Sequence, residues 1–189
     1  MYKKVSFLII NMLFISLPSL AQLEIGASYE LRNEEPKSGF GVRVEKGFLN
    51  QVPFFDIGMR AHVSFFNENN NISENGISYS EKLTNYDFGV AVTAGISVGL
   101  IEPYIGLGLG STTLDIERKD FVSVPQGFEQ EPDTNESNIY FNGFIGSKVS
   151  IIPILKPFVE YRYSNTSLSD PEVAELTNGR IIFGVLLSF

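Results

Sequence analysis

The chain has 189 residues, no cysteine, one histidine, 43% hydrophobic residues and a formal net charge of −8. A length of this order fits one domain, and the missing cysteines exclude a disulfide framework and thiolate chemistry. An acidic balance without a basic face is unsuited to nucleic acid, so no such partner is expected.

The first 21 residues place Lys3 and Lys4 ahead of an apolar run from Val5 to Leu17, followed by Pro18 and the small residues Ser19 and Ala21. The run is shorter than the roughly 20 residues that a membrane-spanning helix needs. Its order of charge, apolar stretch and small residues predicts a secretory signal peptide over 1–21, cleaved before Gln22. The expected mature domain, 22–189, has 168 residues, and loss of the two lysines takes its net charge from −8 to −10. No cysteine follows the cleavage position, so no lipoprotein anchor is expected.

From Gln22 onward, eight stretches alternate apolar with polar or small residues, the period of a β-strand. The first, LEIGASYEL, sets Leu23, Ile25, Ala27, Tyr29 and Leu31 against Glu24, Gly26, Ser28 and Glu30. The second, GFGVRVEKGF, opposes Phe40, Val42 and Val44 to Gly41, Arg43 and Glu45. The third, FFDIGMRAHVSFF, has the cleanest period, with Phe55, Ile57, Met59, Ala61, Val63 and Phe65 opposite Asp56, Gly58, Arg60, His62 and Ser64. The fourth runs NYDFGVAVTAGISVG, the fifth YIGLGLGST, the sixth NIYFNGFIGSKVSI and the seventh LKPFVEYRYS, whose Pro157 fits only near a strand start or an edge. The eighth, IIFGVLLSF, carries Ile181, Phe183, Val185, Leu187 and the terminal Phe189 on one face.

The joints alternate in length. LNQVP, LIEP and IPIL are short, whereas NENNNISENGISYSEK, DIERKDFVSVPQGFEQEPDTNES and NTSLSDPEVAELTN are long and mostly acidic; NEEPKS alone is brief among the latter set. Residues 115–136 hold seven acids against Arg118 and Lys119. The polar faces of the strands, in contrast, carry six acids (Glu24, Glu30, Glu45, Asp56, Asp87, Glu160) and six bases (Arg32, Arg43, Arg60, Lys148, Arg162, Arg180). Equal counts with arginine prevailing indicate charges that compensate one another in a crowded space. An apolar outward face, a polar inward face, segments of about ten residues and alternating short and long joints are the pattern of a transmembrane β-barrel. Closure of the ladder satisfies every backbone group in lipid. The expected fold is all-β: an eight-stranded, antiparallel, up-and-down transmembrane barrel whose polar interior is filled by side chains.

On these residues the chain resembles the small bacterial outer-membrane barrels of the OmpA transmembrane and OmpX type over 22–189. The resemblance implies the outer membrane of a Gram-negative cell, contact with outer-membrane lipid and lipopolysaccharide, a monomer, and a structural or surface-interaction role with an unidentified surface ligand. It also implies that Ile181, Phe183, Val185, Leu187 and Phe189 are read by the barrel-assembly machinery. No OmpA-like peptidoglycan-binding domain is expected after the barrel, so that role is not carried over.

Arg43, Glu45, Asp56, Arg60, Asp87, Glu160, Arg162 and Arg180 are the expected interior charge network; no cofactor or metal site is expected. The GxGxG within YIGLGLG precedes no helix, and its glycines are expected to relieve crowding by Tyr104, Tyr140 and Phe144 rather than to bind a nucleotide. HVS at 62–64 resembles the His-x-Ser element of outer-membrane lipid A deacylases. The alternative function is therefore a lipid-modifying enzyme with Ser64 as nucleophile, His62 as base and Glu68, Glu74 or Glu81 as the orienting acid. Strand parity, however, turns His62 and Ser64 inward, away from lipid.

Overall fold

A computed structural model describes residues 23–48, 54–74, 77–122, 134–152, 154–165 and 177–189. The expected signal peptide and its cleavage position lie outside these residues. Eight strands, β1 (Leu23–Arg32), β2 (Ser38–Gly47), β3 (Phe55–Glu74), β4 (Ile77–Ile96), β5 (Ile101–Val122), β6 (Thr134–Val149), β7 (Leu155–Asn165) and β8 (Thr177–Ser188), close into one antiparallel barrel. Each strand pairs with the next, and β8 returns to β1, with Phe183 opposite Tyr29 and Leu187 opposite Ile25. Phe189 lies one residue past β8, yet its amide donates to the carbonyl of Leu23 at 2.9 Å. The chain end is thus tied into the closing seam.

The strand period decides which side each residue takes. On β3, Arg60, His62 and Ser64 are buried in the lumen, while Met59, Val63 and Phe65 remain 53%, 52% and 42% exposed on the outside. Glycines on the inward positions make room for rings reaching across the lumen. A methyl group at Gly106 would overlap the Phe144 ring, one at Gly110 the Tyr140 ring, and one at Gly146 the Tyr104 ring.

The structure corrects the expected joints. NENNNISENGISYSEK is strand at every described position, all but Asn75 and Gly76: β3 and β4 stay paired from Phe55↔Ile96 to Glu74↔Ile77. LIEP is mostly strand, because β5 begins at Ile101. The true turn is Gly99-Leu100, closed by Val98 and Ile101, whose amides donate to each other's carbonyls at 2.9 and 3.2 Å. Gly99 takes φ 65°, which a residue with a side chain rarely adopts. DIERKDFVSVPQGFEQEPDTNES likewise contributes its first eight residues to β5 and its last four to β6. The ladder continued where the apolar period faded because cross-strand hydrogen bonds need no apolar face, and the paired Asn, Ser and Thr side chains bond one another. Pro157 is the third residue of β7, near the strand start as expected.

β2 stops pairing with β3 at Gly39↔Phe66, and β6 stops pairing with β7 at Phe141↔Asn165. Beyond those rungs β3, β4, β5 and β6 continue as a four-stranded sheet standing off one end of the ring. Eight residues of β3 beyond Phe66 correspond to a rise of roughly 25 Å along the strand.

Candidate functional site

The lumen is occupied by side chains bonded in three layers. Nearest the short-turn end, the Lys148 ammonium donates to Glu24 and Glu45, each at 2.6 Å. Lys156 there bridges Glu24 at 2.9 Å and Glu102 at 3.0 Å. In the middle, Glu160 accepts from three arginines and a tyrosine. Its Oε2 takes bonds from Arg43 Nη1 at 3.1 Å, Tyr104 Oη at 2.9 Å and Arg60 Nη1, and its Oε1 from Arg162 Nε at 3.1 Å and Nη2 at 2.8 Å. Arg60 Nε also donates to Glu45 at 2.9 Å, which joins the middle layer to the one below. Toward the long-hairpin end, Asp87 accepts from Arg180 Nη2 at 2.9 Å and Tyr140 Oη at 2.6 Å. Glu30 accepts there from Ser64 Oγ at 2.8 Å and Arg180 Nη1 at 3.3 Å.

Rings complete the packing. Arg43 lies 3.6 Å over the Phe158 ring, Arg60 4.3 Å over Phe144 and Arg32 3.3 Å over Phe66. The guanidinium planes thus carry charge on their edges and stack on apolar faces, a combination lysine does not offer.

Seven of the eight expected network residues are bonded in this way: Arg43, Glu45, Arg60, Asp87, Glu160, Arg162 and Arg180. Asp56 is not brought in. It is half-buried at the rim beside the short turns, its Oδ1 has no hydrogen-bond partner among the described residues, and the neighbouring Lys148 ammonium is taken by Glu24 and Glu45. Glu102 was missed because it lies in LIEP, which reads as a joint, and Lys156 because it precedes Pro157 at the start of the seventh stretch, where the period is interrupted. Counting back in twos from Glu160 through Phe158 would have placed Lys156 inside.

His62 and Ser64 do not form a nucleophile–base pair. Both are buried, at 3% and 1% exposure. Ser64 Oγ is directed to Glu30, whereas His62 Nε2 lies 3.3 Å from Asp87 and 3.4 Å from Tyr140 Oη. Glu68 accepts the Lys37 amide at 2.8 Å and Glu81 pairs with Arg118 at 2.9 Å, so neither orients His62. The side chain of Glu74 lies outside the described residues. Among those described, nothing opens this buried pair to a lipid ester from the wall.

Within the lumen, the described residues line a hollow of about 20 Å³ near Asp56 and one of about 100 Å³ near Arg180. The Glu160 layer and the rings of Tyr104, Phe144 and Tyr140 lie between them. A larger depression of about 530 Å³ lies on the outer wall, where Gly143 leaves a notch between Leu107 and Phe141.

The outer wall is an apolar belt. On β4 it runs from Tyr86 through Phe88, Val90 and Val92 to Ile96, and Val98 continues it at the turn. About twelve residues of a strand tilted by about 40° give roughly 30 Å of height, the thickness of a hydrocarbon layer. Phe54, Phe55 and Phe189 stand exposed at the short-turn rim, and Phe40, Phe65, Tyr86 and Tyr163 at the other. Two aromatic girdles flanking an apolar band mark a surface adapted to a bilayer.

Above the second girdle the sense of the two faces reverses. The outward positions become Asn67, Asn69 and Asn71 on β3, Thr84, Lys82 and Ser80 on β4, Thr113, Asp115 and Glu117 on β5, and Ser137 and Asn135 on β6. The inward positions become apolar in part, with Phe66 and Leu83 buried and Leu114 and Ile116 half-buried. Tyr79 stacks on Phe121 with ring centroids 5.3 Å apart. The switch occurs on neighbouring rungs, Phe65↔Tyr86 and then Asn67↔Thr84, so it marks the level at which hydrocarbon ends.

No family model and no curated protein matches the sequence. Solved structures match in shape. Neisserial surface protein A (NspA) is 14% identical, with 89% of this chain and 97% of that one covered and a TM-score of 0.58. A major outer membrane protein from Thermus thermophilus is 12% identical over 89% and 99% of the two chains, with a TM-score of 0.60. Ail, the attachment invasion locus protein of Yersinia pestis, seen in complex with the heparin analogue sucrose octasulfate, is 13% identical over 89% and 97%, with a TM-score of 0.51. At these identities the likeness is one of fold, that of bacterial outer-membrane barrels.

Proposed function

We propose that this chain is an integral outer-membrane protein of a Gram-negative cell, of the OmpA transmembrane and OmpX type, with a structural or surface-interaction role and no large pore. The observation that carries the reading is the pairing of an apolar, girdled outer wall with a lumen plugged by the carboxylate of Glu160 and its three arginines. A wall of that kind needs lipid, and an interior of that kind passes no large solute. The short turns and Phe189 then face the periplasm, and the β3–β6 sheet stands outside the cell among lipopolysaccharide.

The same orientation leaves Phe189 at 71% exposure on the periplasmic rim, tied to β1 through its backbone, where the barrel-assembly machinery could read it. The chain acts as a monomer, since the ring closes on itself and leaves no unpaired strand within the membrane. Ail was seen with a polysulfated sugar; a net charge of −8 opposes a polyanion here and favours a neutral surface partner.

Intact cells treated with an amine-reactive reagent that does not cross the outer membrane provide the test. Lys82, exposed on the outer sheet, is expected to be modified, while Lys148 and Lys156 inside the lumen are not. Modification of Lys82 only after cell disruption would overturn the orientation.

A further inference from the structure

We propose that the hollow of about 100 Å³ at the long-hairpin end of the lumen is a binding site for a small zwitterion, a free α-amino acid, with its carboxylate on Arg32 and its ammonium on Asn85. The inference rests on the surface-interaction reading above and deepens it, since it names the chemistry of a surface ligand. Its first support is a guanidinium left over. Arg162, Arg180 and Arg32 lie on one rung of β7, β8 and β1. Glu160 takes the first, and Asp87 and Glu30 take the second. Arg32 has no carboxylate of that kind. Its Nη2 lies 3.9 Å from Asp87 Oδ2, beyond hydrogen-bond reach. Its Nε and Nη2 have no hydrogen-bond partner among the described residues, although the side chain is only 4% exposed. The Phe66 ring, 3.3 Å from the guanidinium carbon, covers one face of the group and leaves the Nε–Nη2 edge free. That edge is the fork that grips a carboxylate through two parallel bonds.

The second support is an acceptor in the same place. The Asn85 carboxamide nitrogen donates to Thr112 Oγ1 at 2.8 Å and to the Thr113 carbonyl at 3.0 Å. A carbonyl can only accept, so the carboxamide is held one way round, and the atom left without a partner among the described residues is its oxygen, Oδ1. Arg180 Nε and Ser164 Oγ are also buried without a partner among those residues. Arg32, Arg180, Asn85 and Ser164 all line the hollow. Buried polar atoms are rarely left unbonded. Donors alone would suit a simple anion; a carboxylate fork together with a carbonyl acceptor suits a molecule that carries both signs.

The third support is the charge of the rim. Glu34 and Glu136 line the hollow as well. They repel a second negative charge, which disfavours phosphate and dicarboxylates, and they attract an ammonium. A hollow of about 100 Å³ holds roughly three waters at ~30 Å³ each, which is the bulk of glycine and excludes a sugar chain.

The test follows the arginine Nε–H resonances of the full barrel in lipid nanodiscs during titration with glycine, acetate and inorganic phosphate. Glycine is expected to shift Arg32 and Arg180 saturably and to leave Arg43, in the Glu160 layer, unmoved. Acetate is expected to need a several-fold higher concentration, and phosphate to give no saturable shift. Arg32→Lys keeps the charge and loses the fork, so the half-saturating glycine concentration, followed at Arg180, should rise about tenfold or more. Asn85→Ala should bring glycine to the level of acetate while acetate itself is unchanged. Equal affinity for glycine and acetate in the unmodified barrel, tightest binding of phosphate, or no saturable shift with glycine would each overturn the proposal. A nitroxide at Val92→Cys in the same nanodiscs reports on the barrel itself. If it is lipid-accessible while glycine fails to bind, the zwitterion site fails and the membrane reading stands; if it is water-accessible, the membrane reading fails.

Discussion

Glu160 is the carboxylate on which three guanidiniums converge, so its replacement isolates the contribution of charge compensation in the lumen. In Glu160→Gln the shape is kept and the negative charge is lost, leaving Arg43, Arg60 and Arg162 to repel one another in a buried space. A loss of about 3–5 kcal/mol is expected, read as a lower urea midpoint in the transition between folded and unfolded gel mobility. An unchanged midpoint would mean that the ring contacts of the arginines and the Arg60–Glu45 bond suffice to hold them. Gly106→Ala probes crowding in the same layer, because its methyl would overlap the Phe144 ring. The expected cost is about 1–3 kcal/mol, and Phe144→Leu in the same chain should recover most of it. Failure of that second change to help would show that the strain lies in the backbone.

For the elements, the telling feature is the rung at which the outward face changes character. Val92→Arg, in the middle of the belt, is expected to cost about 2–4 kcal/mol, whereas Thr84→Arg, one outward position above Tyr86, should cost about 0–1 kcal/mol. Similar costs at both sites would contradict the boundary placed between residues 84 and 86. At the other rim, Phe189→Asp or deletion of Phe189 should reduce the folded, heat-modifiable fraction far more than Phe183→Leu does, since Phe183 lies within β8, away from that rim, with its ring beside Tyr29. The walls were legible in the sequence because lipid and lumen impose opposite demands on alternate residues, as at Arg60 and Met59. The upper halves of β3, β4 and β5 were not. Water on the outside removes that contrast, so a run such as Asn67 to Asn71 reads as a loop although its backbone is fully laddered. Network membership was legible for residues flanked by a clear period, Arg162 for one, and obscured for Lys156 by the adjacent Pro157.

The whole molecule follows from one reversal: polar inside and apolar outside within the bilayer, then polar outside and partly apolar inside above it. Planar-bilayer recordings should show no porin-sized steps, because the hollows of about 20 and 100 Å³ are separated by the Glu160 layer. The chain has no cysteine, so single substitutions along β4 allow a nitroxide to be placed at one position at a time. Accessibility to oxygen and to a polar relaxant, scanned from Ser78 to Ile96, tests the central claim most directly. A bilayer-embedded wall gives oxygen access at the even positions from Tyr86 to Ile96, protection at the odd ones, and a change to the polar relaxant at Thr84, Lys82 and Ser80. Access of the polar relaxant at Phe88, Val90 and Val92 would contradict it, since that pattern belongs to a barrel surrounded by water.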